Sequence, residues 1–466
     1  MSRGSTSPRS VIVLGAGLTG LAAADLLASE GVRVTVLERE DHPGGLATTV
    51  KQGAFHFDLG PHRYHTTKPE LLDLVRELLP DGLLLKERIS RIRLMDRYFR
   101  YPLALGDVLK RMPPHRGAAM MLSYLGERLR NVVSPRREDD FEGWVVRRFG
   151  RRLYDIYFGP YTEKLWGIPP AKLSADWASQ RITVPGLTGL IRETLFPSTE
   201  KVRSLVSTFH YPKGGIGRIS EALAARVVAH GGRVLCGTEP RAITRTGDGF
   251  RVEVAGNPLE ADGLVSTIPV DRYVELLGGL VPEAAHRSAE TLSFRAVVFV
   301  ALRLRNRVEA GDHWIYASED DYLFNRLSIP ENFDSDVSPE GSQVVFEFSC
   351  QVGDGIWTGS TDILRSAVEG GIRLGLFVRE DVLESTVVKA SHAYPVYDLG
   401  YASRSSTVLD ALDALEGSVT CGRQGLFRYN NMDHSIEMGR CAALEHLGTG
   451  TVRERFTWTS DTWADG

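Results

Sequence analysis

The chain has 466 residues, of which 42% are hydrophobic and 24% charged, an ordinary balance for a protein with a large buried core. Its formal net charge of −4 argues against the basic surface typical of nucleic-acid-binding proteins. The four cysteines show neither metal-type spacing nor the density of a disulfide framework.

The ends of the chain and its apolar runs bear on localisation. The first ten residues are polar, so we expect no secretory leader. No stretch of about 20 apolar residues is present, so we expect no membrane span. The default prediction is a cytoplasmic protein with two or three structural units, and a homodimer is compatible with it.

The N-terminal segment predicts a strand, a helix and a second strand. Ser10–Leu14 is an apolar run typical of a central parallel strand. The following segment is rich in helix formers and closes at Gly31, a residue that commonly ends helices. The run VRVTVLERE then predicts the next strand, which completes a βαβ unit.

The rest of the chain predicts helical and antiparallel parts before a last α/β segment. Predicted helical regions are Arg76–Asp140, Glu142–Trp166, Gly217–His230, Glu369–Arg379, Ser406–Leu415 and Asp433–Leu447. Predicted strands lie in Arg233–Val270 (antiparallel), Val297–Leu304, Gln343–Cys350 and Val419–Gly422. Glycine, proline and serine between Thr183 and Ser207 predict a mobile loop or a short helix pair.

A glycine motif follows the first strand and opens the first helix. Gly15, Gly17 and Gly20 form G-x-G-x-x-G, which allows a tight turn, approach of a pyrophosphate and close helix packing. Glu38 ends the second predicted strand, where a carboxylate can accept a hydrogen bond from a ribose hydroxyl. This context predicts a dinucleotide site.

A second glycine pair, Gly44 and Gly45, extends this pattern. The extended pattern resembles the large FAD family that includes amine oxidases, protoporphyrinogen oxidase, phytoene desaturases and UDP-galactopyranose mutase. The resemblance implies non-covalent FAD and an α/β fold. That fold has a GR2-like, Rossmann-type FAD-binding part with a parallel sheet, an antiparallel-sheet substrate lobe and a helical insertion.

The implied division of the chain has three parts. Residues 8–70, with contributions from 205–275 and 415–447, would form the FAD-binding core. Residues 71–204 would form the helical insertion with its mobile loop. Residues 276–414 would form the antiparallel substrate lobe.

Several segments are implied by the resemblance to contact the cofactor. Arg423, in Cys-Gly-Arg, would lie near the pyrophosphate, and Gly60 and His62 belong to a loop at the flavin. The segment YPKGG, with Gly214 and Gly215, would run near the flavin ring, where glycines allow a close approach. Met432 starts the last helix, whose N–H groups would point toward the flavin.

The histidines of the flavin loop leave other interpretations open. His56, His62 and His65 lie close together in the sequence. They could hold a metal ion, but no neighbouring carboxylate cluster or cysteine supports that, and we predict no metal site. They could also simply satisfy backbone groups.

The substrate side resembles UDP-galactopyranose mutase more than an amine oxidase. The segment YTEKLWG is very similar to one in the mutase, and the resemblance implies that Tyr161 and Trp166 contact the substrate. In register, Arg326 falls on the mutase's fixed diphosphate arginine. Tyr394 and Tyr429 fall on its phosphate-binding tyrosines, groups suited to phosphate oxygens. The remaining residue in this predicted substrate set is Asn431.

One departure concerns the mobile loop. The mutase has an arginine there that reaches the substrate diphosphate, whereas register puts Pro185 at that position, and a proline supplies no cation. Arg181 matches a neighbouring basic position and is a predicted substrate contact. Arg192 lies further along. The sequence therefore predicts a phosphate clamp that is incomplete or rebuilt.

Two functions follow from these segments. The first is a sugar-nucleotide mutase, which interconverts pyranose and furanose forms with reduced flavin and no net oxidation. His62, Arg326, Tyr394 and Tyr429 would be its catalytic residues. The alternative is an FAD-dependent oxidoreductase, an oxidase, dehydrogenase or desaturase acting on a small-molecule or natural-product substrate. Against an amine oxidase, the motif FRYNNM lacks the paired aromatic residues that hold an amine.

Overall fold

The computed structural model describes residues 9–101, 103, 111–133, 139–181, 207–449 and 452, without the side chains of 179–181. Its helices are α1 Leu18–Ser29, α2 Pro69–Leu78, α3 Pro114–Val133, α4 Phe141–Phe149, α5 Arg151–Leu153, α6 Gly159–Trp166, α7 Ala175–Arg181, α8 Arg218–Ala229, α9 Val270–Leu277, α10 Glu283–Glu290, α11 Pro330–Phe333, α12 Gly355–Thr358, α13 Ile363–Arg373, α14 Tyr401–Asp413, α15 Gly422–Gly425 and α16 Met432–His446. Its strands are β1 Ser10–Leu14, β2 Arg33–Leu37, β3 Thr49–Gln52, β4 Phe55–Asp58, β5 Leu83–Glu87, β6 Ser90–Leu94, β7 Arg97–Arg100, β8 Thr208–Pro212, β9 Arg233–Leu235, β10 Ala242–Thr246, β11 Gly249–Glu253, β12 Leu259–Ala261, β13 Gly263–Ser266, β14 Phe294–Leu304, β15 Trp314–Ala317, β16 Arg326–Ser328, β17 Ser342–Cys350, β18 Val382–Pro395 and β19 Ser418–Thr420.

A parallel sheet in the order β19-β13-β1-β2-β9 forms the first half of the fold. The strand β1 is apolar and buried because helices cover both faces of such a sheet. The helix α1 packs closely on α16, where a Cβ at Gly439 would lie 2.1 Å from the carbonyl oxygen of Thr19. The predicted βαβ unit and α/β class are confirmed.

A larger sheet in the order β18-β14-β17-β16-β15-β6-β7 forms the second half. Its neighbours are antiparallel, except that β6 runs parallel to β15. The strands β14 and β17 are buried along almost their whole length, which makes them the centre of this sheet. Strand predictions at Val297–Leu304 and Gln343–Cys350 are confirmed.

The prediction of a helix-rich segment over Arg76–Asp140 is wrong between residues 83 and 100. That stretch forms β5, which pairs with β8, and β6 and β7, which extend the larger sheet. The insertion of residues 71–204 is therefore not wholly helical, and the larger sheet is not drawn from 276–414 alone. The signal was the alternation in Ser90–Leu94, where apolar side chains are buried and arginines are not.

Two other predicted elements need correction. Within Arg233–Val270, only β10, β11 and β12 are antiparallel, while β9 and β13 join the parallel sheet. The helix predicted at Glu369–Arg379 lies earlier, as α13. The side chain of Asp362 accepts from the N–H of Arg365 and starts it, and Gly375, at φ +71°, follows its end.

A helical layer, α4 to α7, packs against the larger sheet around Phe141, Trp144, Leu173 and Val396. A π-helical turn, Tyr154–Phe158, joins α5 to α6. Within the described residues, no helix is both long and apolar enough to cross a membrane. All four cysteines are free.

Candidate active site

A cavity of about 1410 Å³ lies between the parallel sheet, the larger sheet and the helical layer. It begins at the carboxyl ends of β1, β2 and β13, since Gly15, Glu38 and Thr267 line it. That is the edge at which open α/β sheets bind ligands.

The glycine motif forms the first end of the cavity. Gly17 is extended and precedes α1 with no side-chain cap, so N–H groups of the first helical turn face the cavity. A Cβ at Gly17 would meet no protein atom within 4 Å. Gly44 donates its N–H to the carbonyl of Ala16 at 2.9 Å, which packs Gly44 and Gly45 directly on the motif.

Gly15 and Gly20 need to be glycine because a side chain at either position would collide with neighbouring protein atoms. Gly15 has φ +98°, and its Cβ would lie 2.6 Å from Thr267 Oγ1. A Cβ at Gly20 would lie 2.0 Å from the carbonyl oxygen of Gly15. Gly20 does not line the cavity and instead permits the helix to approach the strand, as the motif predicts.

Glu38 is held at the cavity wall by backbone donors. Its Oε2 accepts from the N–H of Ala16 at 2.8 Å, and its Oε1 accepts from the N–H of Glu40 at 3.1 Å. The side chain is only 8% exposed. A carboxylate fixed in this way can still accept from the hydroxyls of a ribose.

His62 lies deeper in the cavity, in the loop after β4. Its Nδ1 is buried and has no hydrogen-bond partner among the described residues. Burial, and then the charges of Arg423 and Arg326, lower the pKa of His62 to about 3. The imidazole is therefore neutral at ordinary pH and can donate or accept one hydrogen bond to a ligand.

These observations fit a flavin dinucleotide. The space at Gly17 admits a pyrophosphate, Glu38 suits a ribose, and the free Nδ1 of His62 can contact the flavin. Asn431 and Met432, at the start of α16, also line this part of the cavity. Gly44 and Gly45 line it as predicted, whereas Gly60 does not and packs instead against the Glu347 carboxylate, 3.1 Å from where its Cβ would be.

The low pKa of His62 gives a prediction for the flavin-free protein. Unfolding restores a normal histidine, which binds a proton below about pH 6.5. The contribution of the neutral His62 to the free energy of unfolding is therefore fully present above that pH and decreases as the pH drops toward 3. Between pH 7.5 and 5 the wild type should lose on the order of 2 kcal/mol more than His62→Gln, by urea unfolding. The exposed His115 provides a control, since His115→Gln should keep the wild-type pH dependence. Identical pH dependence of wild type and His62→Gln would contradict the assignment.

Arg326 is held by a buried carboxylate. Its Nε and Nη2 donate to the two oxygens of Glu347 at 2.7 Å each, and Glu347 is 1% exposed. Burial opposes the charge of Arg326, but Glu347 keeps the pKa of the guanidinium well above its usual range. The positive charge expected from Arg326 is therefore largely balanced inside the protein.

Tyr394 and Tyr429 form a stacked pair, with ring centroids 5.8 Å apart. The inference from FRYNNM that paired aromatic residues are lacking is therefore wrong, because the partner comes from a distant strand. Arg423 lies over both rings, at 4.3 Å from Tyr429 and 5.6 Å from Tyr394, and donates to the carbonyl of Asn430. A guanidinium already in contact with both rings disfavours a cationic amine there.

The helical layer supplies an aromatic wall. Trp166 ends α6 and meets Trp177 and Tyr394 edge to face, and its Nε1 is buried without a partner among the described residues. Tyr161 stacks on Tyr157 at 5.9 Å and meets Tyr316 edge-on. Additional aromatic residues of this wall that the sequence analysis did not single out are Tyr101, Tyr157, Trp177 and Tyr316.

Two predicted cofactor glycines lie elsewhere. Within the described chain, Gly214 and Gly215 do not line the cavity. Gly214 donates to Asp334 at 2.7 Å, and Gly215, at φ +120°, leaves room for Thr49, whose Oγ1 would lie 2.4 Å from a Cβ. Their identity as glycine is explained by this packing, and their approach to the flavin stays a prediction.

The residues predicted to form a mobile loop at the substrate are largely outside the described part of the chain. Pro185, Arg192 and the segment Thr183–Ser207 up to residue 206 lie outside the described residues, as does the side chain of Arg181. Within the described chain, no group of three histidine, cysteine or acidic residues could hold a metal ion.

Comparison with known proteins relates this geometry to flavoenzymes. A family model described as flavin containing amine oxidoreductase matches residues 18–357. A coproporphyrinogen III oxidase from Propionibacterium freudenreichii is 25% identical over 85% of this chain and 83% of its own length. A probable UDP-galactopyranose mutase from Klebsiella pneumoniae is 27% identical over 36% of this chain and 44% of its own length. The crystal structure of a reduced UDP-galactopyranose mutase superposes with a TM-score of 0.85 over 98% of this chain and 97% of that one, at 22% identity, which shows a shared fold.

Proposed function

Because the chain belongs to the family of flavin-containing amine oxidoreductases and is an FAD-dependent enzyme, we propose that it interconverts the pyranose and furanose forms of a nucleotide sugar. The observation that carries this proposal is the convergence of Arg326, Tyr394 and Tyr429 on the cavity that also holds His62. Flavin, when bound in its reduced form, supplies the chemistry of the ring interconversion without net oxidation.

The side chains have distinct parts in this proposal. Burial raises the pKa of Tyr394 to about 12, so its hydroxyl stays protonated and can donate to a phosphate oxygen. Tyr429 lies parallel to it and can donate from the same side. Arg326 positions a guanidinium beside them, and the neutral His62 orients the flavin. Trp166 and Tyr161 offer ring surfaces for a base or sugar.

Net oxidation of the substrate is the alternative. It is favoured by the match to the coproporphyrinogen III oxidase, which extends over 85% of this chain. An amine is the less suitable substrate for such an oxidation, because Arg423 already lies over the rings of Tyr394 and Tyr429.

The deciding experiment incubates the purified holoenzyme, oxidised in one tube and reduced with dithionite in another, with UDP-, TDP-, GDP- and CDP-hexoses. Chromatography then separates the isomers. A new isomer formed only by reduced enzyme is the expected result and identifies the nucleotide. No turnover across the panel, with rapid reoxidation of the flavin by air, would contradict the mutase and favour the oxidoreductase.

Tyr394→Phe should weaken substrate binding while leaving the FAD content unchanged. Loss of one hydrogen bond to a charged phosphate costs about 1.5–3 kcal/mol, or roughly 10- to 100-fold in Kd. Calorimetric titration with the nucleotide sugar identified above measures the change. Tyr98→Phe is the matched control, since the Tyr98 hydroxyl donates to the carbonyl of Leu374 outside the cavity. Loss of FAD from Tyr394→Phe would show that Tyr394 belongs to the cofactor side.

A further inference from the structure

Arg63 follows His62 in the flavin loop and lines the cavity. Its guanidinium lies 5.3 Å from the ring centre of Trp314, a contact that orients the side chain without neutralising its charge. Within the described residues, no carboxylate pairs with it and no acceptor takes its N–H groups. Arg63 thus holds a positive charge at the cavity wall with no counterion among the residues that the structure describes.

Arg88 approaches the same part of the cavity from the end of β5. Its Nη2 donates to the backbone carbonyl of Tyr101 at 3.2 Å, and its guanidinium lies 5.5 Å from the ring centre of that tyrosine. Its Nη1 is buried and has no partner among the described residues. Arg88 therefore has an unused donor and, like Arg63, lacks a described carboxylate partner.

Both guanidinium groups line the same cavity, and both have Tyr101 and Tyr316 as neighbours. Burial lowers the pKa of Arg63, and the charge of Arg88 lowers it further. Both arginines remain charged, because guanidinium keeps its proton in proteins. Tyr101 lines the same cavity, and its hydroxyl neighbours Tyr316; Tyr316 and burial raise the pKa of Tyr101, while the charges of Arg63 and Arg88 lower it. Two neighbouring cations that have no acidic partner among the described residues disfavour each other, and a bound anion stabilises both.

Two other arginines are paired with buried carboxylates. Arg326 donates two hydrogen bonds to Glu347, and Arg91, on the strand after β5, donates to the buried Asp312. Arg63 and Arg88 have no such carboxylate among the described residues. An anionic ligand in the cavity would supply the negative charge.

We propose that Arg63 and Arg88, together with the Tyr101 hydroxyl, form an anion subsite for a phosphate or carboxylate oxygen group of the substrate. The proposal deepens the proposed function and rests on it in one respect: for a nucleotide sugar the anion is the diphosphate. The subsite would supply the cations that the sequence lacks at Pro185 and that Glu347 neutralises at Arg326. It would favour anionic substrates over amines.

The test is calorimetric titration of the FAD-loaded protein with inorganic pyrophosphate and, separately, with tricarballylate as a carboxylate probe. The variants are Arg63→Met and Arg88→Met, which keep the apolar stem of the side chain. The matched control is Lys86→Met. It removes a positive charge from β5, the strand that precedes Arg88, and Lys86 does not line the cavity. FAD absorbance verifies that each variant is folded and loaded.

We expect each arginine variant to weaken binding of the preferred anion at least tenfold, with Lys86→Met within twofold of wild type. Arg63→Lys should recover part of the affinity, because it restores charge without the fork. Preference for pyrophosphate identifies a diphosphate, and preference for tricarballylate identifies a carboxylate. Failure of wild type to bind either anion, or unchanged affinity in both variants, would overturn the subsite.

The two proposals fail in different ways. If nucleotide sugars are isomerised but Arg63→Met and Arg88→Met bind anions normally, the subsite is wrong and the mutase stands. If no nucleotide sugar is isomerised but anion binding depends on both arginines, the subsite stands and the mutase is wrong.

Discussion

Replacing Gly17 by valine should give a folded protein that contains no FAD. The backbone at Gly17 has φ −73° and ψ 177°, a conformation that valine adopts without strain. Its Cβ would meet no protein atom within 4 Å, so the fold has room for the side chain. That room is where a pyrophosphate approaches the start of α1, and valine would fill it. We expect the yellow colour and all activity to be lost, with the stability of the flavin-free protein changed by about 0.5 kcal/mol or less.

Flavin absorbance after purification and thermal unfolding of the flavin-free protein measure the two effects separately. Gly126→Val is the matched control, since Gly126 is exposed on α3, has open space at its Cβ and does not line the cavity. Gly20→Ala should behave differently and lower the yield of folded protein, because its Cβ would lie 2.0 Å from the Gly15 carbonyl oxygen. A fully loaded Gly17→Val would show that the cofactor lies elsewhere.

Replacing Arg326 by methionine should cost about 3–5 kcal/mol of stability, because it leaves the buried carboxylate of Glu347 without its partner. Glu347 is 1% exposed, and Arg326 is the residue that pairs with it. The double variant Arg326→Met, Glu347→Leu should recover most of that loss, since an apolar pair needs no counterion. If Arg326 contacts the substrate, both the single and the double variant should lack the mutase activity of the wild type.

Urea unfolding of the flavin-free variants measures the recovery. Arg91→Met is the matched control, because Arg91 forks onto Asp312, which is also 1% exposed, outside the cavity wall. It should lose stability but keep substrate affinity. A single Arg326→Met that is as stable as the double variant would mean that Glu347 is neutral or solvated in the protein. Activity in the double variant would exclude Arg326 from substrate binding.

The substrate end of the cavity was only partly predictable. The resemblance pointed to Arg326, but its balance by Glu347 depends on register, since the two residues are directly opposite on β16 and β17. The sequence analysis did not single out Glu347, although a charged residue within an apolar strand is a signal of a buried partner. Arg63 follows His62 in the sequence, yet only the tertiary structure shows that it lines the cavity and lies over Trp314.

The sequence by itself determined the dinucleotide end of the protein. The spacing of Gly15, Gly17 and Gly20, the helix that follows and Glu38 after the next strand all lie within one βαβ unit. Their geometry is set by local backbone conformation, so the pattern identifies the turn, the helix start and the carboxylate without knowledge of the rest of the chain.

Only the tertiary structure decided the charge and shape of the substrate end. Strand β6 joins the larger sheet by pairing with β15, which is more than 200 positions away, and Ser90 with Trp314 is one of the pairs. Strand β7 is added through its pairing with β6. The stack of Tyr394 on Tyr429 and the presence of Arg63 and Arg88 in one cavity arise in the same way, from separate segments. Sheet pairing and packing between distant segments bring these groups together, and local propensity does not encode which distant partners meet.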